Sequence, residues 1–441
     1  MRSVLRSVFA HRPRAGQPTR FRPELEPLDG RWVPSGFRQT NLVADEPGVA
    51  PLTDPTLVNA WGISLSPTTG AFWVSANGTG ISALYIGDVN GSAVARPFGV
   101  TVPGGAPTGQ VFNGTGDFRV SSGTASATAL FVFATETGNI TGWNPTVPLP
   151  PPSLVAQLGA ANPGAEYTGL ALGNNGAGNF LYAADFKGKK IDVFNSAFAP
   201  TALAGNFTDP GIPKQYAPFN IQNLGGKLYV TYAKQDKDGN LDGGNGFVSV
   251  FDLNGNFLSR LVSRTHLKEP WGLALAPANF GDFGGALLVG NHGDGSVNAF
   301  DPNTGDFLGK LRDETGAPVR IDGLFGLAFG NGVTAGDADA LYFAAGPNGG
   351  EDGLFGKLRF VPDAGVAAGI APQGLLLPTP PVTGPAVPTA DGPARAADAP
   401  TDVVAPIPLH GPTVSFGAPT LAAPTVWIDP LLDLGVDADP V

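Results

Sequence analysis

Trp271-Gly272-Leu273-Ala274, then Ala286-Leu287-Leu288-Val289-Gly290-Asn291-His292, then a third short strand over 295–302, is the stretch that decides the fold. The same three-strand pattern occurs six times. Its first strands open at Gly62, Gly109, Gly169, Asn220, Gly272 and Gly326, at intervals of 47, 60, 51, 52 and 54 residues. A period of this length means one supersecondary unit repeated around an axis or along a line. The second strands, 71–77, 129–135, 179–185, 227–233, 286–292 and 340–346, are short, aromatic and β-branched, as strands buried on both faces are. Third strands follow over 81–88, 138–145, 189–196, 246–253, 295–302 and 355–362, punctuated by Asn-Gly, Asp-Gly and Thr-Gly turns.

Fourth strands are expected over 94–102, 153–158, 202–208, 257–263 and 307–313. The sixth unit has none after it. Residues 41–44 at the other end of the chain are expected to supply it, which closes a ring and removes an open edge. Small residues at the six openings suit strands that crowd a central axis. The reading is an all-β chain, a six-bladed β-propeller closed by an N-terminal strand. A β-helix coil is too short for this period, and a β-sandwich is less regular. The expected domains are a basic leader over 1–36, the propeller over 37–361 and a disordered Pro/Ala-rich tail over 362–441.

Composition agrees. The 441 residues are 42% hydrophobic and 14% charged, with 63 Gly and 43 Pro, so the chain can bury a core and is rich in turns. The formal charge of −11 is spread as +4 over 1–35, −8 over the middle and −7 over 362–441. An acidic body argues against nucleic acid as a partner. Residues 362–441 hold 16 Pro, and such a segment buries too little apolar surface to offset its chain entropy. There are no cysteines, which excludes disulfides and thiolate chemistry. No apolar run approaches the length of a membrane span. The expected state is a monomer.

Several strings are specific: Asn41-Leu42-Val43-Ala44-Asp45, Asn59-Ala60-Trp61-Gly62-Ile63-Ser64 and Tyr232-Ala233-Lys234-Gln235-Asp236. Together they resemble an uncharacterised family of bacterial secreted β-propeller proteins, over roughly residues 40–361. More distantly the chain is similar to NHL and gluconolactonase-type propellers. The resemblance implies the fold and export to the cell surface or medium, and no chemistry. Leu25-Glu26-Pro27-Leu28-Asp29-Gly30-Arg31-Trp32-Val33-Pro34-Ser35 resembles an N-terminal element of large secreted bacterial proteins, which supports the same localisation.

In a propeller, the loop into strand one and the loop out of strand two share one face. Reading those loops collects Asn59, Glu166, Glu269 and Asp322, together with Asn77, Glu136, Asp185, His292 and Asp294. Convergent carboxylates, amides and an imidazole can hold a divalent cation or polarise a carbonyl. Glu136, Asp185 and His292 are the catalytic candidates, and Asn59, Trp61, Asn77, Asn220, Trp271 and Asp322 the ligand-binding ones. Asp and Asn also close turns, and that alternative stands beside the first. The recurrent aromatics Trp61, Tyr167, Phe219, Trp271 and Phe325 read either as a ligand ring or as packing between blades.

The loop Asp236-Lys237-Asp238-Gly239-Asn240-Leu241-Asp242-Gly243 alternates oxygen-bearing side chains, as the start of a calcium loop does. Asp236, Asp238, Asn240 and Asp242 are its candidate ligands for Ca2+ or another divalent cation. Read from Asp238, Ser249 stands at the twelfth position, where such a loop carries its bidentate Glu. Three functions remain open: a binding or surface-interaction module for a small molecule, glycan or protein; a lactonase-like metal-dependent hydrolase; and a structural envelope component.

Overall fold

The computed structural model describes residues 35–68 and 70–362, all within the unit Met1–Gly369. The leader and the Pro-rich tail, beyond their innermost residues, lie outside the described residues. Six antiparallel sheets follow one another in chain order, each running from an inner strand outward. The inner strands are Ala60–Ser64, Pro107–Phe112, Tyr167–Asn174, Tyr216–Leu224, Pro270–Leu275 and Leu324–Phe329. They define blades one to six.

The ring closes as the repeat pattern requires. Gly36–Ala44 pairs antiparallel with Leu354–Val361 and becomes the fourth strand of blade six. It is longer than the four residues expected, and Leu52–Thr53 adds a short fifth strand parallel to it. Second strands are buried on both faces because each blade is sandwiched by two neighbours. The core is accordingly six apolar layers, one between each pair of adjacent blades. A seventh cluster lies on the axis. Each large side chain fully buried in such a layer contributes roughly 1.5–3 kcal/mol.

Outer strands differ most from expectation. Blade three has only Pro200–Thr201, and 202–208 is not a strand. Blade two ends in Gln157–Ala161 rather than 153–158. It also carries an extra hairpin, Arg119–Ser122 with Ala125–Thr128, between its first and second strands. That insertion falls within the 60-residue interval between Gly109 and Gly169, the longest of the five. Among the described residues, helix is confined to Pro347–Gly350 and two single turns. Among the described residues, no helix is long and apolar enough to cross a membrane.

One local irregularity recurs in all six blades. Pairing between strands one and two slips beside the opening Gly or Asn. A β-bulge re-aims the side chain at the slip. The residues re-aimed are Trp61, Thr108, Thr168, Phe219, Trp271 and Phe325. Next to each, the small residue lets adjacent inner strands touch. A Cβ added at Gly272 would lie 2.5 Å from the Phe325 carbonyl oxygen, and one at Gly326 would lie 2.5 Å from that of Trp61. At Gly62 and Gly109 the neighbouring backbone is closer still, and at Gly169 the nearest atom is the side-chain Oδ1 of Asn220 at 2.3 Å.

Candidate functional site

The re-aimed aromatics close the channel on the face that carries the loops into strand one and out of strand two, here called the upper face. Trp61 stacks on Phe325 at 3.9 Å and meets Trp271 edge-on at 6.1 Å. Phe219 lies 6.4 Å from Trp61 and 5.2 Å from Phe186. Phe186 fills the room left on the blade-three side, where the axial residue is the small Thr168. Tyr167 is not part of this set. One residue earlier than the slip, it is buried between blades two and three, its hydroxyl donating to Asp192 at 2.9 Å. Of the aromatic series, Tyr167 packs between blades as the second reading expected, and the other four meet on the axis. Those four form an axial plug.

That placement takes Trp61, Trp271 and Asn220 off the upper face, while Trp271 and Asn220 line the channel below it. Trp61 is only 7% exposed and Trp271 only 4%, so neither presents a surface on the upper face. Trp271 instead crosses the axis, its indole Nε1 donating to the Thr168 carbonyl at 3.1 Å. Asn220 joins blades: its Nδ2 donates to the Trp271 carbonyl at 2.8 Å, and its Oδ1 accepts from the Ile221 N–H.

Above the plug, several expected polar residues do meet. Asn59 Nδ2 donates to Asn77 Oδ1 at 3.1 Å, and Asn77 Nδ2 donates to Glu136 Oε2 at 3.2 Å. The Glu136 charge is felt by Glu166 of the next blade. Asp322 is exposed on the rim, where it accepts from the Asn348 N–H at 2.9 Å. Glu269, 7% exposed, stands on blade five beside Gly293.

The catalytic candidates separate. Asp185 is buried and spent on its own turn, accepting from the Glu166 and Gly188 N–H groups at 3.1 and 2.8 Å. His292 packs on Phe325 at 4.2 Å, and burial lowers its pKa, so the ring is neutral at physiological pH. Asp294 does not orient it, because that carboxylate accepts from Ser296. The His292 Nδ1, the Trp61 Nε1 and the Gln235 Oε1 are buried beside the plug without partners. Among the described residues, no three His, Asp or Glu side chains converge within reach of one cation.

The Asp236 loop has an internal explanation. Asp236 Oδ1 accepts from the N–H groups two and four residues on, those of Asp238 and Asn240. Asp252 does the same with Asn254 and Asn256, and Asp313 with Thr315 and Ala317. Asp238 and Asp242 pair with Lys237 and Lys234. The alternation that reads as a calcium loop is thus one instance of a turn this chain uses repeatedly, in which Asn240 Nδ2 donates to Asp236 Oδ2 while Asp238 and Asp242 face lysines.

The lower part of the channel holds what sequence reading missed. Below Trp271 the inner strands enclose a cavity of about 330 Å3. Gln110, in its wall, donates Nε2 to the carbonyls of Gly62 and Trp73 and accepts from Ser82 Oγ. Aligning the six repeats exposes this residue. The position after the opening small residue is Ile63, Leu170, Ile221, Leu273 and Leu327 in the other blades. One position further, where blades three, five and six carry Ala171, Ala274 and Ala328, blade four carries Gln222.

The upper-face carboxyls carry a pH prediction. Burial raises the pKa of Glu136, against a hydrogen bond from Asn77. Burial also raises that of Glu166, reinforced by Glu136, and that of Glu269. A carboxyl raised in the folded state binds its proton more tightly there, so stability falls as pH rises from the usual carboxylate range through the raised values. At the acid end, Asp236 and Asp313 are held low by hydrogen bonds from Asn240 and Thr315, and their contribution is lost as pH falls through the depressed values. In a His292→Asn background, which removes the opposing loss from the lowered imidazole as pH falls, urea unfolding is therefore expected to show higher stability near about pH 5 than near about pH 8. The triple variant Glu136→Gln, Glu166→Gln, Glu269→Gln should flatten that difference; an unchanged difference refutes the assignment.

A comparison with models of known protein families finds no match. Two uncharacterised proteins of Acanthamoeba polyphaga mimivirus are each 34% identical to the chain, over 349 and 351 residues. The alignments cover 77% of this chain and 84% and 90% of theirs. A third protein of that virus is 32% identical over 217 residues, 48% of this chain and 40% of its own length. Among solved structures, a streptogramin B lyase is similar at a TM-score of 0.42 and 12% identity, covering 75% of this chain and 99% of that one. Virginiamycin B lyase from Staphylococcus aureus gives 0.40 and 14%, covering 74% and 100%.

Proposed function

The chain belongs to the family of the two mimivirus proteins that are 34% identical to it; for this member we propose an exported binding propeller whose upper face recognises a positively charged protein segment. One observation carries the reading. Glu136, Glu166 and Glu269 come from three blades and are half-buried or buried, yet none forms an ion pair among the described residues. Lys187 and Lys268 act on Glu166 and Glu269 only from beyond ion-pair distance, so these desolvated carboxylates are incompletely compensated and a ligand cation completes them. The plug beneath leaves no depth for a molecule to be engulfed, so recognition takes place at a surface. Extended protein segments bearing Lys or Arg suit such a face. The bacterial secreted family and the leader element support export as part of this proposal, while the relatives found are viral.

The test is fluorescence anisotropy with labelled Lys/Arg-rich, neutral and acidic peptides. The cationic peptides should bind, and the triple Glu-to-Gln variant should lose about tenfold or more in affinity. A control variant, Asp117→Asn, Asp282→Asn, Asp306→Asn, removes the same charge from elsewhere. If both variants weaken binding equally, only net charge is being sensed and the proposed face is wrong.

A further inference from the structure

The cavity below Trp271 is separated from the upper face by the plug. It runs from the ring of opening residues to the lower ends of the inner strands at Leu65, Phe112, Leu172 and Asn223. At about 330 Å3 it matches the small end of ligand pockets. Its wall has an unusual chemistry that follows from the fold. Every inner strand is the edge of its sheet, and none pairs with another. Their free N–H and C=O groups therefore face the axis and need partners from inside the channel.

Some of these groups are already capped by side chains of the neighbouring blade. Gln110 caps the Gly62 carbonyl, Asn220 that of Trp271, and Asn223 that of Leu172 at 2.9 Å. Those amides are spent. Gln222 is not: half-buried in the wall, it makes no side-chain hydrogen bond to the protein among the described residues, so its donors and its acceptor remain available. Ser64, 8% exposed, lines the same wall, but its unpartnered hydroxyl oxygen is buried out of reach of a ligand. No charged side chain lines the cavity, and apolar side chains such as Ile63, Val111 and Leu327 alternate with the polar groups.

We propose that this cavity binds a small uncharged polyhydroxylated molecule, a sugar or cyclic polyol. A charged ligand would be desolvated there with no counter-ion. A purely apolar one would leave the strand edges and Gln222 unpaired. Hydroxyl groups both donate and accept, which is what an array of alternating N–H and C=O groups requires. The C–H faces of such a molecule lie against Leu327 and Ile63, and its ring lies beneath Trp271.

Isothermal titration of the full chain tests this with glucose, galactose and myo-inositol, against glucuronate and glucosamine as charged counterparts. At least one neutral probe should bind and quench indole emission, and the charged pair should not compete. Gln222→Leu, which removes only the amide chemistry, should weaken binding about tenfold with an unchanged unfolding midpoint. Ala328→Phe, which fills the cavity, should abolish it. Binding to cationic peptides across the plug should be unaffected by Gln222→Leu, so this site and the upper face fail or stand separately. Absence of binding by every neutral probe, equal affinity in Gln222→Leu, or a soaked crystal showing only a water column each overturns the proposal.

Discussion

Deleting residues 1–44 is expected to abolish cooperative unfolding, whereas deleting residues 1–34 leaves it intact. The closing strand Gly36–Ala44 brings the start of the chain into the sheet of the last blade, adding to direct contacts between blades one and six such as Lys357 with Asp88, and it pairs with residues more than 300 positions away. Closing a loop of that length costs about 5 kcal/mol in chain entropy, and this pairing must exceed it. It does so with a backbone ladder and with Phe37, Leu42, Val43 and Ala44, all buried. Val43 is fully buried against blades six and one. Val43→Asp places an unpaired charge there and should cost at least about 4 kcal/mol, a large part of the stability of an ordinary domain. Circular dichroism and urea titration read both effects. Adding a peptide of residues 35–45 to the truncated chain should restore the transition. Retention of a sharp transition without residues 36–44 would show that blades one to six hold together unaided.

The same closure explains which parts of this molecule were readable in advance. Strand identity and ring order follow from local composition and from a period that six copies repeat, so Trp271-Gly272-Leu273-Ala274 and its five counterparts sufficed. The site was harder for a physical reason. A one-residue bulge decides which side chain points to the axis, and composition does not mark it. Tyr167 and Thr168 differ by one position, and the aromatic one is the wrong choice. Loop residues suffered the opposite ambiguity. Asn59, Asn77 and Glu136 do come together across two blades, but Asp185 and Asp236 are consumed by their own turns, and the residue types are identical. Gln110 and Gln222 were visible only by comparing the repeats with one another, where a polar residue stands in an otherwise apolar or small column.

Gly109→Ala and Gly326→Ala should each destabilise the protein by about 3 kcal/mol or more, far beyond the usual effect of one methyl group. The added Cβ at Gly326 meets the Trp61 carbonyl oxygen at 2.5 Å, and that at Gly109 meets the backbone of Gly169 and Leu170. These are main-chain atoms of the next inner strand, so no rotamer change relieves the clash. A ring transmits the displacement, because pushing blade two from blade three compresses the other contacts around the axis. Gly116→Ala is the matched control. Nothing lies within 4 Å of its Cβ position, and its φ is outside the left-handed region, so the change should be neutral or slightly stabilising through the unfolded chain. Blade four supports the argument from the other side. There the position holds Asn220, whose side chain bridges to the Trp271 carbonyl instead of leaving bare contact. Asn220→Ala should accordingly cost less, about 1–3 kcal/mol for an unsatisfied buried carbonyl. Urea midpoints rank the four variants. Equal tolerance of Gly109→Ala, Gly326→Ala and Gly116→Ala would mean that the inner strands stand further apart than the bulged ring allows, and that the walls of both the plug and the cavity below it are misplaced.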